Sequence, residues 1–213
     1  MPAAAAPAEE VRARVMAGMV TAVEEKGYAA TTVADIAKAA RISRRTLYEH
    51  FADKEACFLA AYGMMSDTLI TQVVTGARSA PAGLERVHAA TVAYFHALAE
   101  QPEVARAFLT EINAVGPAGL ELRVKVNQRF AAMMADLVAE SVGKPGEQLP
   151  DGRYSRTFDA AMASALVGGI NELVVNAIVT GPADTLAVRL GRLADPVNEL
   201  AERLLLSETP PER

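Results

Sequence analysis

The recurrence of apolar residues every three to four positions is the feature that most restricts the fold of this sequence. It continues through almost every segment, and no stretch shows the convincing alternation of polar and apolar residues that marks a half-buried strand. Ala, Leu and Val dominate the apolar residues, and only 5% of the chain is aromatic, which favours helices packed on helices over a β-sandwich. The sequence therefore predicts an all-α fold with about nine helices.

Glycine and proline mark where the predicted helices end. The first helix covers about residues 9–26 and stops at Gly27, since glycine readily adopts the conformation that closes a helix. Thr32, Ser43 and Asp53 are placed to cap the second, third and fourth helices. Five later helices are predicted over residues 84–100, 102–114, 117–143, 154–180 and 184–206, with a surface loop over 143–153 and disordered tails over 1–8 and 207–213.

Charge is distributed unevenly along the chain, which the net charge of −5 conceals. Residues 26–54 carry six basic and three acidic side chains, so this stretch is +3 and the remainder of the chain is −8. A basic island on an acidic protein attracts anions to one end of the molecule. Scattered surface charge is the alternative interpretation of the same counts.

The cysteine content and the most apolar segment both bear on location. A single cysteine, Cys57, excludes an internal disulfide and fits a reducing cytoplasm. The most apolar window, residues 160–179, contains Asn171, Glu172 and Asn176, so a buried helix explains it better than a membrane span. We therefore expect a cytoplasmic protein with no membrane partner.

Residues 32–51 have the pattern of a helix-turn-helix, a motif that places its second helix in the major groove of DNA. Ala37 is small where the two helices cross, and apolar residues including Ile36 and Leu47 form the faces that hold the crossing. With Leu47 pointing inward, a rotation of about 100° per residue turns Arg45 and Glu49 directly away from the core. The outward face of the third helix then consists of Arg44, Arg45, Thr46 and Tyr48.

This outward face has the chemistry that reads base edges. Arginine holds guanine O6 and N7 with two hydrogen bonds, and threonine donates, accepts or contacts a thymine methyl group. Glu49 either accepts from a cytosine or orients Arg45. Tyr48 has a second interpretation, packing of its ring on the first helix.

The stretch GYAATTVADIAKAARISRRTLYEHFADKEACFLAAY, residues 27–62, resembles the signature of the TetR family of one-component transcriptional repressors. With the first helix the similarity covers about residues 9–62, a quarter of the chain. It implies a helix-turn-helix DNA-binding domain over 9–55 and a helical ligand-binding and dimerisation domain over 56–206. The DNA-binding positions that match the family pattern are Thr32, Arg44, Arg45, Thr46, Tyr48, His50 and Lys54.

Two positions of this motif have two interpretations each, and a third differs from the family pattern. His50 is either a buried core histidine or a phosphate contact, and Lys54 is either a phosphate contact or a solvated lysine. Arg41 stands in the turn where the family often has glycine. Arginine adopts a positive φ only at a cost of about 1 kcal/mol, so this turn is expected to differ slightly.

The last predicted helices have the spacing of a helix–helix seam, which indicates a homodimer. Leucine and valine recur there every three or four residues, and the preceding helix offers small residues that allow close approach. The alternative is that the seam packs within its own subunit, and Pro196 is expected to bend this helix. The predicted dimer interface comprises Ala161, Ala165, Gly168, Gly169, Leu186, Leu190, Leu193, Val197, Leu200 and Leu204.

A ligand pocket is expected among the fourth to eighth helices, although Met and Phe at helical spacing also form ordinary cores. Glu111 and Asn171 are of interest because a polar group inside the fold needs a partner. His88 and His96 have no evident third ligand, so we predict no metal site and no cofactor. The candidate pocket residues are Tyr94, Phe95, Phe108, Glu111, Phe130, Met133, Met134, Met162 and Asn171.

Together these features predict a homodimeric transcriptional regulator that a small-molecule effector releases from a palindromic DNA operator. A ligand-independent regulator or an activator with the same DNA-binding domain is the alternative. A small helical enzyme is disfavoured, because Cys57 has no recognisable base motif nearby and the sequence has no Gly-rich phosphate loop. We therefore expect a protein without catalytic residues.

Overall fold

The structure, a computed structural model, describes residues 7–210, and the all-α prediction is confirmed. The helices are α1 (Ala8–Ala30), α2 (Val33–Ala39), α3 (Arg44–His50), α4 (Lys54–Arg78), α5 (Leu84–Glu100), α6 (Pro102–Glu111), α7 (Pro117–Val142), α8 (Ala160–Val179), α9 (Leu186–Gly191) and α10 (Ala194–Leu205). Two short 3-10 turns, Ile112–Val115 and Ala183–Thr185, and two strands, β1 (Tyr154–Ser155) and β2 (Leu206–Ser207), complete the described elements. Residues 1–6 and 211–213, part of the predicted tails, lie outside the described residues.

The chain forms two compact units, and neither is continuous in sequence. Within the described range, unit one comprises residues 7–67 and 103–123, and unit two comprises residues 68–102 and 124–210. The units therefore do not follow the linear division at residue 55 expected from the motif alone. Helix α6 and the first residues of α7 belong to the same unit as the helix-turn-helix.

Unit one is held by an aromatic cluster that joins its two segments. The rings of Phe58 and Phe108 stack with their centroids 4.8 Å apart, and the edge of Tyr28 meets Phe58 at the same distance. Phe58 is completely buried and Phe108 is 2% exposed. Aromatic pairs in this geometry contribute about 0.5–1.5 kcal/mol beyond their buried area, so the Phe58–Phe108 stack stabilises the packing of α6 on α4.

Helix α1 reaches Ala30, four residues beyond the predicted end, but its helical conformation breaks at Gly27 with φ 74°. The buried Thr31 hydroxyl then lies 3.0 Å from the Ala22 carbonyl oxygen and 2.8 Å from the Gly27 carbonyl oxygen, so its single proton binds the backbone beside the break. The predicted stop at Gly27 is thus confirmed as a kink.

Unit two is built around α5, against which α9 and α10 pack. Strands β1 and β2 pair antiparallel, with Tyr154 opposite Ser207 and Ser155 opposite Leu206. Arg156 also donates its backbone N–H to the Leu205 carbonyl at 2.7 Å. The C-terminal segment is thereby fastened to the chain that precedes α8, so Ser207 is part of a strand and not of a disordered tail.

Two helix boundaries in unit two differ from the prediction. Helix α8 begins at Ala160, not at 154, because the Asp159 carboxylate caps it by accepting from the Met162 N–H at 2.9 Å. The single helix predicted over 184–206 is two helices, α9 and α10, separated at Arg192 and Leu193. Pro196 explains the break, since it has no N–H for the carbonyl four residues earlier and its ring clashes with that carbonyl.

Candidate DNA-binding surface and ligand cleft

The helix-turn-helix of unit one is set by side-chain caps that the sequence predicts. Thr32 accepts from the Asp35 N–H at 3.2 Å, while Asp35 accepts from the Thr32 N–H at 3.0 Å, which completes a capping box on α2. Ser43 caps α3 by accepting from the Thr46 N–H at 3.0 Å. These caps fix where each helix starts and hence which face of α3 points outward.

The crossing of α1 and α2 depends on a glycine that sequence reasoning missed. A Cβ atom placed on Gly18 would lie 2.8 Å from the Ala40 nitrogen and 2.9 Å from the Ile36 carbonyl oxygen. Both are backbone atoms that cannot move away cheaply. Below this contact Ile36 and Leu47 are completely buried, so α1 supports both helices of the motif.

The predicted outward face of α3 is exposed. The Arg45 side chain is 90% exposed. Its Nε lies 3.3 Å from Oε1 of Glu49, one helical turn further along α3, and the two form an ion pair. Tyr48 is 57% exposed, and Arg44 is also exposed. Thr46 is half-buried, with its hydroxyl 2.9 Å from the hydroxyl of Ser43.

Of the other predicted DNA-binding residues, Lys54 and Thr32 make structural contacts. Lys54 Nζ donates to the Tyr28 carbonyl at 2.9 Å and lies 4.3 Å from the centre of the Tyr28 ring, so this lysine stabilises the end of α1. Thr32 acts as the cap of α2, and its partner Asp35 also binds Lys26 at 2.6 Å. The hydrogen bond from Lys26, with those from Thr32, holds the pKa of the Asp35 carboxyl well below its usual range. His50 is half-buried.

Two arginines of α1 also support the motif, and sequence reasoning missed both. Arg14 Nη2 donates to the carbonyl oxygens of Ala40 and Arg41, each at 2.8 Å. Arg12 Nη1 donates to the His50 carbonyl at 2.8 Å, and its guanidinium lies 4.4 Å from the centre of the Phe51 ring. The two side chains therefore bind the turn before α3 and the end of α3. No local signal reveals these pairs, because the partners are 26 to 38 residues apart.

Unit two contains a narrow, mainly apolar cleft that is partly open to solvent. Three of its aromatic rings are adjacent: the Tyr94 centroid is 5.6 Å from that of Phe95 and 6.0 Å from that of Phe130. The side chains that line the cleft carry no formal charge. They are Val73, Ala90, Thr91, Tyr94, Phe95, Phe130, Met133, Met134, Val167, Ile170 and Asn171.

A chain of hydrogen bonds runs along one wall of this cleft. Tyr94 Oη donates to Asn171 Oδ1 at 3.1 Å, and Asn171 Nδ2 donates to Asn127 Oδ1 at 2.9 Å. Asn171 therefore has the polar partners that its predicted interior position requires. The contact orients its amide and holds one polar group at the surface of an otherwise apolar site.

The structure brings together six of the predicted pocket residues and places the other three elsewhere. Phe108 belongs to the aromatic core of unit one, where it stacks on Phe58. Glu111 is also in unit one, with its carboxylate beside Gly27. Met162 lies in the first turn of α8, outside the lining of the cleft. Helical spacing alone could not show which unit each of these residues joins.

The predicted dimer residues separate into two groups. Leu186, Leu190 and Val197 are at most 2% exposed, so they form the core of their own subunit and cannot present a seam to a partner. Leu193 and Leu204 are half-buried, and Leu200 is 44% exposed. The small residues of α8 are on its outer face: Ala161, Ala165, Gly168 and Gly169 are exposed.

Two further properties limit the chemistry of the molecule. Burial raises the pKa of the Cys57 thiol to about 11, so this cysteine is protonated at neutral pH. Between residues 7 and 210 no group of three or more His, Cys, Asp or Glu side chains is arranged to hold a metal ion.

Helices α4 and α8 are long and apolar enough to cross a membrane by composition, a test that core helices of soluble proteins also meet.

The fold and the exposed cationic face of α3 define a helix-turn-helix DNA-binding protein with a separate helical unit. Residues 20–61 match the model of the bacterial regulatory proteins of the tetR family. This match covers the helix-turn-helix and the start of α4, so the DNA-binding segment of the chain is similar to that of tetR-family regulators. No curated protein matches the sequence.

Solved structures of regulators share this fold at low sequence identity. The fatty acid degradation regulator FadR from Bacillus halodurans aligns with a TM-score of 0.66 and 17% identity, over 88% of this chain and 96% of its own. A tetR-family regulatory protein from Rhodococcus RHA1 aligns with a TM-score of 0.65 and 18% identity, over 89% and 96%. The regulator FadR from Bacillus subtilis, in complex with stearoyl-CoA, gives 0.64 and 17%, over 88% and 96%.

Proposed function

We propose that this regulator is a homodimeric repressor that binds a palindromic DNA operator and leaves it when a small-molecule effector binds. The observation that carries the proposal is the outward face of α3. Arg44, Arg45 and Tyr48 are exposed on a short helix whose other side is locked into the core through Leu47. Arginine is the residue that most often reads guanine in the major groove.

The exposed face of α8 supports dimerisation. Ala161, Ala165 and Gly168 allow another helix to approach closely, and Leu173 and Val179 add apolar surface that is 40% and 61% exposed. Exposed small and apolar residues along a helix whose one charged residue is Glu172 are typical of a protein interface. A two-fold dimer would present two α3 helices about 34 Å apart, one turn of DNA, so its operator would be a palindrome.

The cleft of unit two supports a mainly apolar effector with one uncharged polar group. Its lining offers hydrophobic and aromatic surface, and the pair formed by Tyr94 and Asn171 is placed to exchange a hydrogen bond with a ligand. A charged head group would lose its hydration without gaining a counter-charge, since no lining residue is ionised. The stearoyl-CoA bound by the Bacillus subtilis regulator has an acyl chain that suits such a lining.

Helix α4 connects the segment that lines the cleft with the segment proposed to bind DNA. Its first residue, Lys54, holds the Tyr28 carbonyl in the head, while Val73 of the same helix lines the cleft. An effector that binds more tightly to a conformation with the wrong spacing of the two heads shifts the population and releases DNA.

Selection of bound duplexes from a random pool tests the DNA-binding half of the proposal. The wild-type chain of 22.5 kDa should sediment at twice that mass and enrich a palindrome. Ala165→Glu should give monomers that enrich no palindrome, because it places a charge on the exposed face of α8. Ala139→Glu, the same exchange at an exposed alanine of α7, is the matched control and should behave as wild type. A wild-type protein that enriches no palindrome contradicts the proposal.

Binding of four ten-carbon probes tests the effector half. 1-Decanol and decanamide should raise the unfolding temperature of the protein, whereas decanoate and decylammonium should have little effect at the same free concentration. Asn171→Leu should reduce the stabilisation by decanamide and leave the DNA affinity of the ligand-free protein unchanged. Equal stabilisation by all four probes contradicts the assignment of an uncharged ligand.

A regulator that ignores ligands, or an activator with the same head, remains the second candidate. A regulator that ignores ligands predicts that the probes leave the affinity for the enriched duplex unchanged. An activator predicts that the operator lies upstream of the promoter.

A further inference from the structure

The turn between α2 and α3 contains an arginine in a conformation that disfavours it. Arg41 has φ 55°, and between residues 7 and 210 it is the one non-glycine residue with a positive φ. L-amino acids with a Cβ atom are strained in this region, whereas glycine is not. Glycine at this position would make the same turn without strain.

The backbone of the turn is held by other groups, so the turn does not need the Arg41 side chain. The Arg41 N–H donates to the Lys38 carbonyl at 3.1 Å, and the Ile42 N–H donates to the Ala37 carbonyl at 3.0 Å. Arg14 closes the turn from α1 by binding the Ala40 and Arg41 carbonyl oxygens. The surrounding structure therefore compensates for a strained residue, which is the usual arrangement at a functional position.

Several cations of unit one are held by other groups of the protein, and Arg41 differs from them. Arg12, Arg14 and Lys54 are committed to backbone carbonyl oxygens, and the Arg45 guanidinium is paired with Glu49. Arg41 is exposed, and its guanidinium forms neither a hydrogen bond nor an ion pair with any residue in 7–210. Its charge is therefore available to an external anion, and Arg41 lies three residues before Arg44 in the sequence.

We propose that Arg41 is a DNA-binding residue that contacts a backbone phosphate beside the bases read by α3. The inference rests on the proposed function, because it takes DNA as the anion. Phosphate contacts come mainly from arginine and lysine, position the protein on the duplex, and carry no base preference. A strained arginine in place of glycine adds such a contact where glycine would leave the turn without one.

The test compares Arg41→Asn and Arg41→Lys with wild type in salt titrations. Asparagine tolerates a positive φ and has no charge, whereas lysine keeps the charge at the same site. Each titration uses two duplexes, the one that the wild type enriches from a random pool and a scrambled version of it. Lys144→Asn removes a lysine from an exposed position in unit two and serves as the control for net charge.

We expect Arg41→Asn to reduce the slope of log affinity against log salt by about 0.9 for each phosphate that the side chain no longer neutralises, or twice that for a dimer. This slope corresponds to an affinity decrease of about eight-fold per phosphate at 0.1 M salt, on both duplexes alike. Arg41→Lys and Lys144→Asn should keep the wild-type slope. The unfolding temperature of Arg41→Asn should equal or exceed that of wild type, because asparagine relieves the strain.

The possible results separate this inference from the proposed function. Wild-type protein that binds no duplex overturns both. If the wild type binds, a wild-type slope for Arg41→Asn overturns the inference alone. A decrease in affinity confined to the enriched duplex also overturns it, since Arg41 would then read a base. If Arg41→Asn unfolds at a lower temperature, Arg41→Gly must show the same slope reduction with wild-type stability, or the inference is overturned.

Discussion

Replacement of Gly18 by alanine tests whether the close approach of α1 and α2 sets the geometry of the head. The new methyl group would lie within 3 Å of the Ala40 nitrogen, the Ala40 Cβ and the Ile36 carbonyl oxygen. Overpacking of this kind costs about 1–3 kcal/mol, and contact with two backbone atoms of α2 and its C-cap favours the upper half of that range.

Helix propensity acts in the opposite direction at the same position. Alanine is favoured over glycine in a helix interior by about 1 kcal/mol. The net expectation is a destabilisation of about 1–2 kcal/mol. For a chain of this length that corresponds to a decrease of about 2–8 °C in the unfolding temperature.

The matched control is Gly63→Ala in α4. A Cβ at Gly63 has no neighbouring heavy atom within 4 Å, so only the propensity gain applies. Thermal unfolding followed by circular dichroism should therefore show Gly63→Ala above the wild type and Gly18→Ala below it. Gly18→Ala should also weaken DNA binding, because α1 supports α2 and α3. If both variants gain stability, the close approach at Gly18 does not determine the packing of the head.

Three further changes give results of defined sign. Arg45→Ala should cost about 1–3 kcal/mol of binding at one base pair and relax the preference there, and equal decreases on all duplexes would make Arg45 a phosphate contact. Arg14→Met should lower the free energy of unfolding by about 1–3 kcal/mol in urea titrations, because it removes charged hydrogen bonds to two carbonyl oxygens; a wild-type value would show that these bonds add nothing. Asp35 has a lowered pKa in the fold, so its stabilisation is present above its unfolded pKa of about 4 and is lost as pH falls through the lower folded value. Asp35→Asn should therefore lose less stability than wild type between pH 6 and pH 3 in thermal unfolding, and an equal loss would exclude this linkage.

Local chemistry explains the parts of the fold that the sequence predicts correctly. The caps at Thr32 and Ser43 bind groups three residues away, so the residue types alone identify them. Interactions within a few residues are therefore predictable from a single sequence. The turn at Arg41 is expected to differ from the glycine turn of the family, but Arg41 adopts the positive φ of 55° that glycine would favour.

Contacts between distant segments account for most of what the sequence did not predict. Arg14 reaches the Ala40 carbonyl from 26 residues away, and the role of Gly18 depends on the angle at which two helices cross. Phe108 and Tyr94 have the same spacing on amphipathic helices, yet one lies in the core of unit one and the other lines the cleft. Periodicity identifies the buried face of a helix but not the neighbour that covers it.

Hydroxyl-radical footprinting on the duplex enriched by the wild-type protein tests the central claim most directly. Two α3 helices presented by a dimer should protect two short sites whose centres are about 10 base pairs apart, on one face of the DNA. Arg44→Ala with Arg45→Ala should abolish both protected sites while the protein remains folded and dimeric. A single protected site, or protection that persists in the doubly substituted protein, would contradict recognition by paired α3 helices.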